Sequence, residues 1–139
     1  MTDEALIEKK LYRIETAVAE VRTLGRPELL ATDVVQERFI LFTLQAAIQA
    51  AIDVATHIVA DQRLGEPSAA RDLFTILGRR GVIDGPLAER LARMVGFRNI
   101  LVHEYEDLDL EIVRHIVRED VGDLLAFASA VRNSIADGA

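Results

Sequence analysis

Apolar residues recur at three- and four-residue intervals from one end of the chain to the other. Leu6, Leu11, Ile14, Val18, Val21 and Leu24, with Lys10 beside them, trace one face of a first amphipathic helix, because 3.6 residues per turn brings such positions to a common side. Gly25-Arg26-Pro27 stops it. A second, long helix is expected from about Asp33 to about Gln62, closing at Leu64-Gly65-Glu66-Pro67. Ser68 is placed to cap a short third helix, Ala69 to Arg79, and Gly81 suits the left-handed residue after it. Asp84-Gly85-Pro86 opens a fourth helix, with Pro86 tolerated in its first turn and Leu87, Leu91, Val95 and Val102 directed at the core. The chain breaks near His103 to Asp107, and a last helix follows from about Asp109 to about Asn133. No run alternates with period two for long enough to make a strand. The pattern predicts an all-α fold: an up-and-down bundle of four long helices and one short one, in a single domain over residues 1–139.

Composition narrows what such a bundle can do. Half of the 139 residues are hydrophobic but only 5% are aromatic, so the core must be built from Leu, Ile, Val and Ala. The absence of cysteine removes disulfides, thiolate nucleophiles and zinc-thiolate sites together. A net charge of −7 argues against broad nucleic-acid binding. Any such contact must be local and focused on a few cations. The stretch from Phe39 to Ala60 is long enough to tempt a membrane reading, but Gln45, Gln49, Asp53 and His57 place a polar stripe along it. It reads as a nearly buried helix of a soluble protein. The acidic, polar start, Met1 to Lys10, does not read as a secretory leader, so the cytoplasm is the expected compartment and no membrane is implied.

The chemistry concentrates in Arg98-Asn99-Ile100-Leu101-Val102-His103-Glu104-Tyr105. Arginine stays charged at every physiological pH and grips phosphate with a planar fork, while histidine exchanges protons near neutrality. On the helical wheel Arg98 falls within about 20–40° of Leu91, Val95 and Val102, on the apolar stripe. A guanidinium there needs a carboxylate or a phosphate. Asp53, on the polar stripe of the second helix, is the expected ion-pair partner, and it can also orient Arg98 for a ligand. His103 lies about 140° from Arg98 in an unbroken helix. The two converge if the helix ends early, if Arg98 wraps, or if a second protomer supplies the other half. Asn99 shares the face of His103 and can hold an imidazole or a phosphate oxygen.

Plainer roles compete for several of these groups. His103 at a helix C-terminus can bond free carbonyls, and Tyr105 can be a half-buried bundle residue. His57 is expected to be satisfied or solvent-facing and His115 to be exposed. The acidic run Glu104, Glu106, Asp107 and Asp109 fits a helix N-terminus, where Asp107 or Asp109 can cap, better than a metal site. No His-x-x-x-His or Glu-x-x-His spacing backs a metal, and no cofactor is expected.

With these residues in hand, the sequence resembles the HepT family of the HEPN ribonuclease superfamily. The likeness rests on the R-x-x-x-x-H-x-Y pattern met by Arg98, His103 and Tyr105. It also rests on the run from Leu44 to Asp53, similar to the family's second helix, and on Leu110-Glu111-Ile112-Val113, similar to the start of its last. The resemblance implies a homodimer with two motifs facing each other in an interface cleft, and RNA cleavage without metal. It implies a toxin of the HepT/MntA, type VII-like kind, held in check by an MntA-like minimal nucleotidyltransferase antitoxin that adenylylates Tyr105. Arg98 and His103 would then be catalytic, Asn99 and Tyr105 substrate-positioning, and an RNA, tRNA among the candidates, the substrate. The alternative is a catalytically inactive HEPN interaction module that binds a nucleotidyltransferase or a nucleotide.

Overall fold

Helix α1 (Glu4–Leu24) begins where the Asp3 carboxylate accepts the Leu6 amide, and α2 (Val34–Asp61) begins where Asp33 accepts the amides of Val35 and Gln36. Such side-chain acceptors satisfy amides that have no partner within the first helical turn. A 3₁₀ turn, Pro27–Leu29, joins the two helices. Gln36 clips this corner shut: its Oε1 accepts the Arg26 amide at 2.7 Å and its Nε2 donates to the Leu24 carbonyl at 3.2 Å. Helices α3 (Ala70–Arg79) and α4 (Gly85–His103) follow. The chain ends in α5 (Leu110–His115), which runs through a π turn (Ile116–Asp120) into α6 (Val121–Gly138). The computed structural model describes residues 3–103 and 108–138, without the side chains of Val102 and His103.

The all-α bundle expected from periodicity is the architecture found, with no strand among the described residues. Two details differ. Ser68 does not cap α3; Ala69 holds the N-cap position, and Asp72 reaches back so that its Oδ2 accepts the amides of Ser68 and Ala69 at 3.0 and 3.1 Å. One carboxylate inside the first turn thus satisfies the amides of both residues that precede α3. The last helix is longer than expected, reaching Gly138, and contains the π turn. Hydrophobic spacing does not register a single extra residue of that kind. Asp109 caps α5 through its contact with the Glu111 amide, as the acidic run suggested; Asp107 lies outside the described residues.

Helix α2 is the axis of the core. Ile40, Leu44, Ile48, Val54, Ala55 and Ile58 are all buried, so its apolar length reflects enclosure by other helices. Removing water from such side chains contributes about 1.5–3 kcal/mol each. Helix α1 packs along α2, α6 closes over both, and α3 pairs with α4. That last pairing is tight: a β-carbon at Gly78 would lie 2.7 Å from that of Ala88. Gly81, at φ +78°, then turns the chain out of α3 in the left-handed conformation that glycine adopts without strain. Phe74 of α3 meets Phe127 of α6 edge-to-face at 5.5 Å, tying the α3–α4 pair to the rest of the core.

Candidate functional site

Helix α4 buries Leu87, Leu91, Met94, Val95, Phe97 and Leu101, and this packing fixes its rotation against α2. Arg98 is left half-buried at the edge of that face. Its guanidinium crosses to α2, where Nη2 donates to Gln49 Oε1 at 2.6 Å. Nη1 donates to Asn99 Oδ1 at 3.0 Å, and Nε is buried without a hydrogen-bond partner among the described residues. Arg98 therefore sits on the core side of α4 as its place on the wheel required, but it is held by neutral amides.

The expected direct pair between Arg98 and Asp53 does not form. Asp53 Oδ2 pairs with Lys10 Nζ of α1 at 3.0 Å, and its Oδ1 accepts from Gln49 Nε2 at 2.9 Å. The reason is register. Asp53 lies one helical turn beyond Gln49, about 6 Å along α2, and α4 crosses so that Arg98 meets the nearer residue. Gln49 thus stands between carboxylate and guanidinium. Sequence reasoning missed Gln49 and Lys10 as members of the site, although Gln49 stood on the polar stripe of α2 and Lys10 beside the apolar face of α1.

Helix α4 continues to His103, so positions 98 and 103 remain about 140° apart around one axis. An early helix end, one of the three routes by which Arg98 and His103 can converge, is thereby removed. The His103 side chain and Tyr105 lie outside the described residues. Elsewhere, His57 Nε2 accepts the Asp3 amide at 3.3 Å, which makes it a satisfied histidine, and exposed His115 lies 3.6 Å from Asp120.

Along the outside of α2, Val35, Arg38, Phe42 and Gln45 are exposed and lead, at alternating spacings of three and four, to Gln49. Phe42 is 74% exposed and Tyr12 of α1 is 69% exposed, and together they line a shallow groove between the two helices. Val35 and Phe42, seven residues apart on this face, are the exposed apolar positions of a seam suited to a second helix, with Arg38 and Gln45 between and beside them.

The ribonuclease HepT-like family model matches residues 7–131. The chain belongs to this family. It is 34% identical over 128 residues to the mRNA nuclease HepT of Shewanella oneidensis, an alignment covering 91% of this chain and 96% of that protein. It is 39% identical over 66 residues to the tRNA nuclease HepT of Aphanizomenon flos-aquae, covering 48% of this chain and 45% of that one. Among solved structures, the tri-AMPylated Shewanella oneidensis HEPN toxin in complex with MNT antitoxin superimposes with a TM-score of 0.86 at 34% identity. That match covers 96% of this chain and 99% of the other. The HEPN fold expected from the motif is therefore the fold of this chain.

Proposed function

We propose that this HepT-like chain is the ribonuclease toxin of a toxin–antitoxin pair and cuts RNA in a cleft built by two copies of itself. The observation that carries this reading is the Arg98 guanidinium, held in place by two amide oxygens and by no carboxylate among the described residues. Its positive charge remains available to a phosphate. In the reaction, the ribose 2′-oxygen bonds to the adjacent phosphorus as the bond from phosphorus to the 5′-oxygen breaks. His103 takes the 2′-hydroxyl proton, and His103 of the partner subunit gives a proton to the departing 5′-oxygen. The products are a 2′,3′-cyclic phosphate and a 5′-hydroxyl. Proton transfer of this kind contributes about 10²–10⁴-fold. Arg98 offsets charge growing on the phosphoryl oxygens, an effect of about 10²–10³-fold. Asn99 positions the phosphate, Tyr105 lines the entrance, and no step calls on a metal. DNA, lacking the 2′-hydroxyl, is spared.

The helical register and the exposed seam support the homodimer reading. One subunit keeps positions 98 and 103 apart, and pairing along Val35, Phe42 and Gln45 about a two-fold axis brings two copies of Gln49 and Arg98 together. The partner fitted to this toxin is a minimal nucleotidyltransferase antitoxin, as in the solved relative carrying three AMP groups. Adenylylation of Tyr105 sets a bulky anion where a substrate phosphate must lie, and repulsion then silences the site. Relatives named for mRNA and for tRNA cleavage make both substrate classes reasonable, and the cytoplasm is where both are met.

The test expresses the chain without antitoxin and treats purified RNA with it in the presence of EDTA. Growth arrest and metal-free cleavage are expected from the parent, with both lost in Arg98→Ala and His103→Ala. Cleavage at the parent rate by either variant overturns the assignment. A parent that neither arrests growth nor cuts RNA returns the chain to the role of an interaction module.

A further inference from the structure

We propose that Gln49 is the positioning residue of this site, and that its being an amide rather than an acid keeps Arg98 available to an anion. The proposal deepens the ribonuclease reading and rests on it for its kinetic consequences. Three helices contribute to one line of contacts: Lys10 on α1, Asp53 and Gln49 on α2, and Arg98 on α4. Lys10 matches the charge of Asp53. Asp53 accepts from Gln49 Nε2, which obliges the amide to present its oxygen, not its nitrogen, to Arg98. The reverse orientation would set an N–H₂ against a guanidinium and a carbonyl oxygen against a carboxylate, so only one orientation satisfies both neighbours.

The charges along this line alternate and leave one positive charge, at Arg98, unmatched among the described residues. A carboxylate at position 49 would hold the guanidinium more strongly but would neutralise it and compete with any phosphate. An apolar side chain of equal length would leave the charge intact and let the fork swing. The Nε of Arg98 is buried with no hydrogen-bond partner among the described residues, so Nη1 and Nη2 carry the contacts that fix the fork. Asp53 therefore acts on Arg98 through Gln49, as a lock on the amide, and Lys10 prevents its carboxylate from drawing the arginine away.

Three proteins test this: the parent, Q49E and Q49M. Two readouts are taken. One is cleavage of a labelled RNA under single-turnover conditions across RNA concentrations. The other is the shift of the Arg98 Nε–H resonance on titration with inorganic phosphate, the peak being assigned by its loss in R98K. Q49E sets a second carboxylate against Asp53 and is expected to melt below the parent, yet to keep a sharp Arg98 resonance that phosphate no longer moves. Its maximal rate should fall about 100-fold, more than its half-saturating RNA concentration rises. Q49M is expected to show a broadened Arg98 resonance that phosphate still moves, with a rate about 10–100-fold down from misplacement alone. A merely structural role would predict equal losses in both variants with no such split. Should Q49E fail to fold, Q49E/D53N restores a donor opposite the new carboxylate and supplies the neutralised protein. Parent-like cleavage and phosphate response in Q49E overturn the proposal, as does a rigid, fully active Q49M. A parent whose Arg98 responds to phosphate, lost in Q49E, but which cuts no RNA sustains the role of Gln49 and brings down the ribonuclease reading alone.

Discussion

Two arginines, Arg98 on α4 and Arg132 on α6, each reach across the bundle to another helix and meet opposite chemistry there. Arg132 meets two carboxylates that lie two turns apart on one face of α1. Its Nε and Nη2 donate to Glu8 at 3.0 and 2.6 Å, and its Nη1 and Nη2 donate to Glu15 at 2.6 and 2.8 Å. Hydrogen bonding to Glu15 and then to Glu8 drives the guanidinium pKa above its ordinary value, against a smaller opposing effect of burial. Among the described residues Arg98 meets only the oxygens of Gln49 and Asn99. The first arrangement saturates the fork and joins the termini of the bundle. The second orients the fork and leaves its charge unanswered. The difference teaches how to tell a staple from a tool when both are half-buried arginines: the formal charge of whatever holds them decides.

The largest expected effect tests that distinction by a crossed pair. R98A should lower RNA cleavage by at least about 10²-fold with a melting temperature close to the parent's, since it removes a charge that the fold does not use. R132Q should do the reverse, lowering the melting temperature while cleavage persists. Equal stability losses in the two variants would erase the comparison. The next effect down is on assembly. F42E places a carboxylate in the exposed seam beside Tyr12, and sedimentation at micromolar concentration should show a monomer with cleavage lost. A fully dimeric F42E would move the interface away from α2 and would leave the route from Arg98 to His103 without its second subunit.

Much of the fold was legible because its signals are local. Asp109 as a cap, the helix starts at about Asp33 and Asp84, Gly81 as a left-handed turn and the three-four spacing of α1, α2 and α4 all depend on residues close in sequence. Arg98 was legible as an anomaly, because a cation on an apolar stripe stands out on a helical wheel. Its partner was not. Asp53 and Gln49 occupy the same stripe one turn apart, and only the crossing of α4 over α2 decides which of them Arg98 meets. Charge complementarity favoured Asp53, whereas geometry gave it to Lys10, a residue 43 positions away. The staple at Arg132 was illegible for the same reason, as 124 positions separate it from Glu8. The π turn at Ile116–Asp120 was hidden because the buried Val113, Val117, Val121 and Leu124 keep three- and four-residue spacing straight through it.

The smallest expected effect lies in how the staple responds to acid, and it separates the two arginines once more. The Glu15 carboxyl is held below its ordinary value of 4.5, first by its hydrogen bond with Arg132 and against the upward push of burial. A carboxyl whose folded pKa is lowered contributes stability that is fully present above its unfolded value and is lost as pH falls through the folded one. Arg132 is shifted upward from an already high value, so its contribution is constant over the acid and neutral range. The pair is open to solvent, with side-chain exposures of 34% for Arg132 and 38% for Glu15, and screening limits its worth to about 1 kcal/mol or less. Thermal melts of the parent and R132Q should therefore differ by about 2–4 °C near neutrality. That gap should hold down to about pH 5 and close as the pH falls below 4.5. R98A, which removes an arginine paired with no carboxylate among the described residues, should show no such closing gap. If the R132Q difference instead persists unchanged in acid, packing of the long side chain against α1 supplies the stability and the carboxylates are incidental to it.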